Sequence, residues 1–250
     1  MAKFEEYANR YETVRMERRD GILQLSLHHN GGPYVWSGKA HGEIAEVFRD
    51  IGADQDNRVV IITGTGDAFC NQIDVMGFVA STGMEFEKIN WEAKQILQNL
   101  LDIQAPVIGA VNGPATIHAE LAVLSDIVLA SDTATFQDFP HFASFGIVPG
   151  DGVNLIWPLL LGLTRGRYFL LTGQVLSAKE ALDLGVVNEV LPPDKLLART
   201  WELAEQLAQK TPLTLRYTRE VLNLQLKQLI HQRLPYSFAL EMLASIDRRG

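Results

Sequence analysis

Ala105-Pro106-Val107-Ile108-Gly109-Ala110-Val111-Asn112-Gly113-Pro114-Ala115-Thr116-Ile117-His118-Ala119-Glu120 opens with an apolar run, passes through an Asn-Gly-Pro turn and enters a stretch of small residues. Val107 to Val111 has the length and character of a strand buried on both faces, and the Asn-Gly-Pro triplet ends it. A small-residue helix around Ala119 to Leu124 follows, and Ile127 to Ala130 is apolar again. Strand, helix and strand in direct succession place the chain in the α/β class.

Working towards the N-terminus, Val59 to Thr63 has the same doubly buried character. Leu23, Leu25 and Leu27 alternate with Gln24, Ser26 and His28, the pattern of a half-buried strand. Ile44, Val47, Phe48 and Ile51 fall at helical spacing, as do Ile89, Ala93, Ile96, Leu97 and Leu100. Towards the C-terminus, Ser177 and Glu180 form a capping box and Gly185 closes that helix, leaving Val186 to Val190 as the one strand expected after Gly152. Apolar stripes then run through Leu196 to Ala208, Leu215 to Leu229 and Tyr236 to Ile246, so the remainder is helical. Pro192-Pro193 marks the boundary between an α/β body, residues 1–191, and a helical tail, residues 192–250, suited to an oligomer interface.

Composition narrows the function. The chain has 250 residues, 47% of them hydrophobic, with a formal net charge of −8. It therefore buries a sizeable core and lacks the clustered basic charge that a nucleic-acid partner requires. Met1 to Arg19 is crowded with charges and has no signal-peptide core. No segment approaches the ~18 consecutive apolar residues of a membrane span. Cys70 is the single cysteine, so no intrachain disulfide forms, and a cytoplasmic protein is expected.

Gly-x-Ser-x-Gly, His-Glu-x-x-His, the phosphate loop and Cys-x-x-Cys are all absent. Gly64-Thr65-Gly66 is a turn, and His28-His29 are strand-end residues whose side chains point to opposite faces. His118, at a helix start, is placed either to donate to an oxyanion or simply to bond to backbone, and the residues alone leave both readings open. His141, with Asp151 in the nearby Gly146 to Gly152 turn, supplies the two parts of a general base, an imidazole and a carboxylate that fixes its tautomer.

Four blocks carry a resemblance to the crotonase (enoyl-CoA hydratase/isomerase) superfamily: Val59 to Gly64 leading to Ala68-Phe69-Cys70 and Asp74; Ala105 to Pro114; Ser125 to Ala130 with Ala134-Thr135-Phe136; and Leu171-Thr172-Gly173 through Ala181 to Gly185-Val186-Val187-Asn188. The resemblance spans almost the whole chain and implies a spiral of ββα turns with a helical C-terminal region that builds a homotrimer or a dimer of trimers. The departures fall where the family binds its thioester. The loop that normally supplies an oxyanion-hole amide is Thr116-Ile117-His118-Ala119, Glu120 stands at the place of one hydratase glutamate, and His141 replaces the other.

With Pro140-His141, Pro149-Gly150-Asp151-Gly152 and the early Trp36, the chain is similar to the β-diketone hydrolases, 6-oxocamphor hydrolase among them. That resemblance implies that His141, oriented by Asp151, activates a water that attacks one ketone of a cyclic β-diketone. His118 and Trp36 would hold the carbonyls, and Glu241 of the last helix would help to polarise the water; a plain solvated helix face is the other reading of Glu241. Phe69, Phe78 and Phe139 are expected on the substrate-binding wall. No cofactor and no metal is implied. The alternative within the fold is a coenzyme A thioester enzyme, either a hydratase/isomerase or a thioesterase.

Overall fold

The computed structural model describes residues 2–247. Helix α1 (Phe4–Tyr7) precedes the hairpin β1 (Val14–Arg19) and β2 (Ile22–Leu27), then β3 (Val35–Trp36), α2 (Gly38–Ala53) and β4 (Val59–Gly64). Next come β5 (Gln72–Ile73), a 3-10 turn over Val75–Phe78, α3 (Gly83–Asp102), β6 (Val107–Val111), α4 (Glu120–Val123), β7 (Ile127–Ser131) and β8 (Thr135–Phe136). The chain closes with α5 (Phe142–Phe145), α6 (Val153–Leu161), α7 (Leu163–Thr172), β9 (Leu176–Ser177), α8 (Ala178–Asp183), β10 (Glu189–Leu191), α9 (Pro193–Ala208) and α10 (Pro212–Asp247).

The main sheet has the order β1-β2-β4-β6-β7-β10, parallel except at the β1–β2 edge. Its register aligns Leu25, Ile62, Gly109 and Val128 across four neighbouring strands. Alternate residues serve two cores, as a parallel sheet covered on both faces requires. Val60, Ile62, Val107 and Val111 join the large core with the apolar faces of α2 and α3. Val59, Ile61, Ile108 and Ala110 face Leu196 and Ala204 of α9.

β2 differs from the half-buried strand expected of its alternation, since all six of its residues are buried. Its polar side chains are covered rather than solvated: Gln24 donates to Ser26 Oγ at 3.1 Å and accepts from Trp201 Nε1 of α9 at 2.8 Å. The late strand is also shorter than Val186 to Val190, because Val186 and Val187 sit buried in the connection before β10 and β9 forms earlier, against β8. Gly109 lets α4 lie close over β6, since a Cβ there would meet the Ala122 carbonyl oxygen at 2.8 Å.

The last helix is tied to the body by one buried cation. Arg219 Nε donates to Asp126 at 2.6 Å, and its guanidinium also caps the carbonyls of Leu100, Leu101 and Ile103 at the end of α3. Asp126 in turn accepts from the Val107 amide at 2.7 Å and from Asn223 at 2.8 Å. Arg219→Ala leaves Asp126 without its cation and three helix-end carbonyls without their donor, so a loss of ~3–5 kcal/mol in unfolding free energy is expected. Urea unfolding followed by circular dichroism measures it, and an unchanged midpoint would contradict this account of the α10 anchor.

Candidate active site

Three chain segments are stitched together beside the C-terminal end of β6. The amides of Thr116 and Ile117 donate to the Cys70 carbonyl at 2.9 and 3.1 Å. Ala115 N donates to Thr135 O, and Phe139 N to Thr116 O, so the segment after β8 runs alongside the segment after β6. Asn112 locks the preceding turn by accepting from Gly64 N and donating to the Gly66 and Ala68 carbonyls. These bonds bring His118 and His141, remote in sequence, to a ring separation of 6.3 Å.

Both histidines line a cavity of about 590 Å³ together with Trp36, Asp151, Glu120 and Glu241. Apolar side chains supply most of the remaining wall, Phe78, Ile96, Leu97, Leu121 and Phe238 among them. Asp151 reaches the cavity from the loop before α6, and Glu241 from α10. Gly150 permits the close approach of that loop to α10, because a Cβ there would lie 2.5 Å from Ser237 O, and its own amide donates to Glu241 at 3.1 Å.

His141 is 4% exposed and lies between two carboxylates. Its Nδ1 is 2.6 Å from Asp138 Oδ1, and its Nε2 is 3.3 Å from Asp151 Oδ2. The partner of Nδ1 is thus Asp138, three residues before it, rather than the Asp151 expected to orient it; Asp151 occupies the cavity side of the ring. Burial alone pushes the His141 pKa down, but the Asp151 charge and the hydrogen bonds to Asp138 and Asp151 outweigh it and hold the imidazole well above its ordinary value. For Asp151 the balance runs the other way: burial favours the neutral acid, yet the charge and hydrogen bond of His141 keep it ionised.

His118 has left-handed backbone, φ 45°, and its ring stacks on the Trp36 indole at 4.2 Å. Its Nδ1 faces Asp151 at 3.6 Å and Glu120 at 3.9 Å. Burial lowers its pKa to about 4, so it is a neutral imidazole at pH 7. The helix expected to lend its dipole is the single turn α4, which begins two residues later. Glu120 is buried and accepts from Trp157 Nε1 at 2.6 Å, while its Oε2 has no hydrogen-bond partner. Burial, reinforced by the Asp151 and Asp138 charges, raises Glu120 to about 8; burial and the Asp151 charge do the same for Glu241. Two carboxyls on this wall are therefore predominantly protonated at neutral pH.

Of the remaining expected residues, Phe78 lines the cavity and stacks edge-on against His41 at 5.4 Å. Phe69 is instead fully buried in the main core and does not line the cavity. Phe139 is 37% exposed and does not line the cavity itself; it packs edge-on against Phe145, which does. Two residues join that sequence reasoning did not assign to the site, Asp138 and His41. His41 lies on the buried face of α2, bonds through Nδ1 to Glu92 of α3 at 3.0 Å and meets Trp36 edge-on at 5.6 Å. Its one sequence signal is a histidine in line with the apolar positions Ile44 and Phe48. Among the described residues, no group of three or more His, Cys, Asp or Glu side chains is arranged to hold a metal ion, and no helix is long and apolar enough to cross a membrane.

Comparison with known proteins agrees with this architecture. The enoyl-CoA hydratase/isomerase family model matches residues 17–242. A carnitinyl-CoA dehydratase of Salmonella arizonae is 35% identical over 217 residues, 84% of this chain and 80% of the relative. A hydroxycinnamoyl-CoA hydratase-lyase of Pseudomonas fluorescens is 31% identical over 216 residues, 84% of this chain and 78% of the relative. Among solved structures, a β-diketone hydrolase from the cyanobacterium Anabaena sp. PCC 7120, bound to (S)-3-oxocyclohexyl acetic acid, superposes with a TM-score of 0.95 at 49% identity, covering 98% of each chain. An enoyl-CoA hydratase/isomerase from Mycobacterium paratuberculosis superposes at 0.85 with 26% identity, covering 92% of each. A matching family model over most of the sequence, with sheet and helices in the same arrangement, establishes that this chain belongs to the enoyl-CoA hydratase/isomerase family and has the crotonase fold.

Proposed function

We propose that the protein hydrolyses a carbon–carbon bond of a cyclic β-diketone in a retro-Claisen reaction, giving a keto acid. The observation that carries this reading is the facing pair of histidines, the buried His141 between two carboxylates and the neutral His118 stacked on Trp36, at the wall of one largely apolar cavity. The 49% identity to a β-diketone hydrolase holding a keto acid supports it.

In this reaction His141 Nε2 takes a proton from water as the hydroxide adds to one ketone carbon. The tetrahedral alkoxide then collapses, the bond to the carbon between the two carbonyls breaks, and its electron pair becomes the enolate of the second ketone. Protonation of that enolate carbon yields the keto acid. His118 and Trp36 each carry an N–H able to donate to a carbonyl oxygen as charge develops on it. The apolar wall excludes water from the carbanion and holds the hydrocarbon ring.

A coenzyme A thioester hydratase is the second reading, favoured by the named activities of the curated relatives. It needs Glu120 as a base, yet Glu120 is bonded to Trp157 and raised to about 8. Of the backbone amides beside the site, those of Phe69 and Cys70 bond to Pro114 O and those of Thr116 and Ile117 to Cys70 O, so these four are not open to a thioester oxygen. The deciding assay offers the purified protein bicyclo[2.2.2]octane-2,6-dione and, in parallel, crotonyl-CoA. Diketone cleavage is the expected result; turnover of the thioester alone refutes the hydrolase reading.

Because the flanking carboxylates hold the His141 pKa up, its base form appears as pH rises through that raised value, and kcat/KM is expected to rise with it. The acid limb therefore lies above the ~6.5 of an ordinary histidine. A pH profile of diketone cleavage measures this, and a limb at or below that value contradicts the assignment of the base. We further propose a homotrimer or a dimer of trimers, in which association covers apolar residues such as Val221 and Leu222 of α10, 75% and 73% exposed in the single chain.

A further inference from the structure

Asp138 is as deeply buried as His141, at 4% exposure, and its bonding is unlike that of a structural carboxylate. A buried carboxylate held for stability has both oxygens satisfied by backbone amides or a cation. Asp138 instead spends Oδ1 on the imidazole at 2.6 Å, and its Oδ2 has no hydrogen-bond partner. The chain around it is pinned on both sides: Gln137 Nε2 donates to Gly173 O at 2.8 Å, and Phe139 N to Thr116 O at 3.0 Å. Asp138 is thus presented rigidly to one group, and that group is His141.

We propose that Asp138 is the positioning residue of the His141 base, holding its hydrogen on Nδ1 and turning Nε2 to the cavity, while Asp151 acts on the reacting side. Burial raises the Asp138 carboxyl while the hydrogen bond and charge of His141 oppose that rise, and as a carboxylate it only accepts, so with Oδ1 at 2.6 Å it is Nδ1 that donates. The second nitrogen is then the one that exchanges protons, and it looks at Asp151 and the cavity. The two aspartates divide the work. Asp138 sets ring orientation and tautomer without meeting the substrate, and Asp151 stands where water and the nascent acid must pass.

The kinetic part of the test rests on the diketone hydrolase reading; the spectroscopic part does not. The groups facing His141 are Asp138 on its own segment, Asp151 on the loop before α6, His118 and Glu120 at the start of α4, and Glu241 on α10. His118 is neutral at pH 7, and Glu120 and Glu241, raised to about 8, are mostly protonated. Asp138 and Asp151 are therefore the charges that hold the proton on His141, and Asp138→Asn removes one of them.

The experiment titrates the His141 ring by NMR in the substrate-free wild type and in D138N, then compares their kinetics on bicyclo[2.2.2]octane-2,6-dione. D138N is expected to lose the far-downfield Nδ1–H resonance and to lower the His141 titration by ~1 unit. Its kcat should fall ~10²-fold, the acid limb following the titration and KM changing far less. An unchanged resonance and titration, or a kcat within twofold of wild type, overturns the proposal. If the wild type leaves the diketone untouched, the hydrolase reading falls and the titration alone judges Asp138. Should D138N not fold, D138E keeps the charge but displaces the ring, so a lower kcat on an unmoved limb is expected, and an undiminished kcat overturns the assignment.

Discussion

His141→Ala is expected to lower kcat/KM for diketone cleavage by ~10²–10⁴-fold, the contribution of a positioned general base. The position of the ring gives it this role. Its Nε2 is the basic atom turned to the cavity, and the other buried carboxyls there are unsuited to replace it: Glu120 and Glu241 are raised to about 8, and Asp151 is held ionised by the very imidazole the variant removes. The truncation also leaves Asp138 and Asp151 without the group between them, so some destabilisation accompanies the kinetic loss. His141→Gln, which keeps polar atoms near both carboxylates, separates the two effects. If H141Q folds with wild-type stability and still cleaves the diketone at a tenth of the wild-type rate or better, His141 is not the base.

The positions of the main strands were legible in the sequence because a doubly buried parallel strand has no polar face to blur its apolar run. Val59 to Thr63 and Val107 to Val111 therefore stand out, and so do α2 and α3, whose apolar stripes face the same sheet. β2 was misjudged as half-buried because its polar residues are satisfied by Trp201, which lies 177 positions from Gln24. The site was legible in its reacting groups and not in their wiring. His118, His141, Asp151, Glu241 and Trp36 all reach one cavity, but a resemblance to a family transfers positions and not hydrogen bonds.

The assignment of Asp151 as the orienting carboxylate shows why. Both aspartates are near His141 in sequence, and only the path of the loop after β8, fixed by Phe139 and Gln137, decides which meets Nδ1. Phe69 illustrates the converse: an apolar residue in a core and one on a pocket wall have the same sequence signature, and here it belongs to the core. His41 and Glu92 pair across 51 positions, between two helices whose apolar periodicity gives their faces but carries no information on which polar residues within those faces meet.

The cavity combines groups of opposite protonation habit within a few ångströms. Asp151 is ionised and His141 holds its proton, whereas His118 is neutral and Glu120 and Glu241 mostly keep theirs. Pairs of titratable groups pushed apart in this way mark sites that move protons. A hydrolytic carbon–carbon cleavage makes that demand, because a proton leaves water early and another must reach the enolate carbon later. The wall therefore keeps its carboxylic acids at neutral pH, and its base, the neutral His141, appears as pH rises through that residue's raised value.

His118→Ala tests the other half of the site. Its neutral imidazole, fixed in plane by stacking on Trp36, is a donor whose hydrogen bond strengthens as charge builds on a carbonyl oxygen, so the loss should fall mainly on kcat, by ~10²–10³-fold. The left-handed backbone at this position disfavours alanine more than histidine, and His118→Asn, which tolerates that conformation and retains an N–H donor, should recover part of the rate. Acid unfolding provides an independent check. In the wild type the unfolded chain takes up a proton at His118 below ~6.5 that the folded protein refuses until about 4, so this residue makes stability fall as pH drops through that window. H118A should lose that part of the slope together with its kcat. A variant that keeps full kcat while flattening the acid transition would show that His118 is buried beside the reaction and takes no part in it.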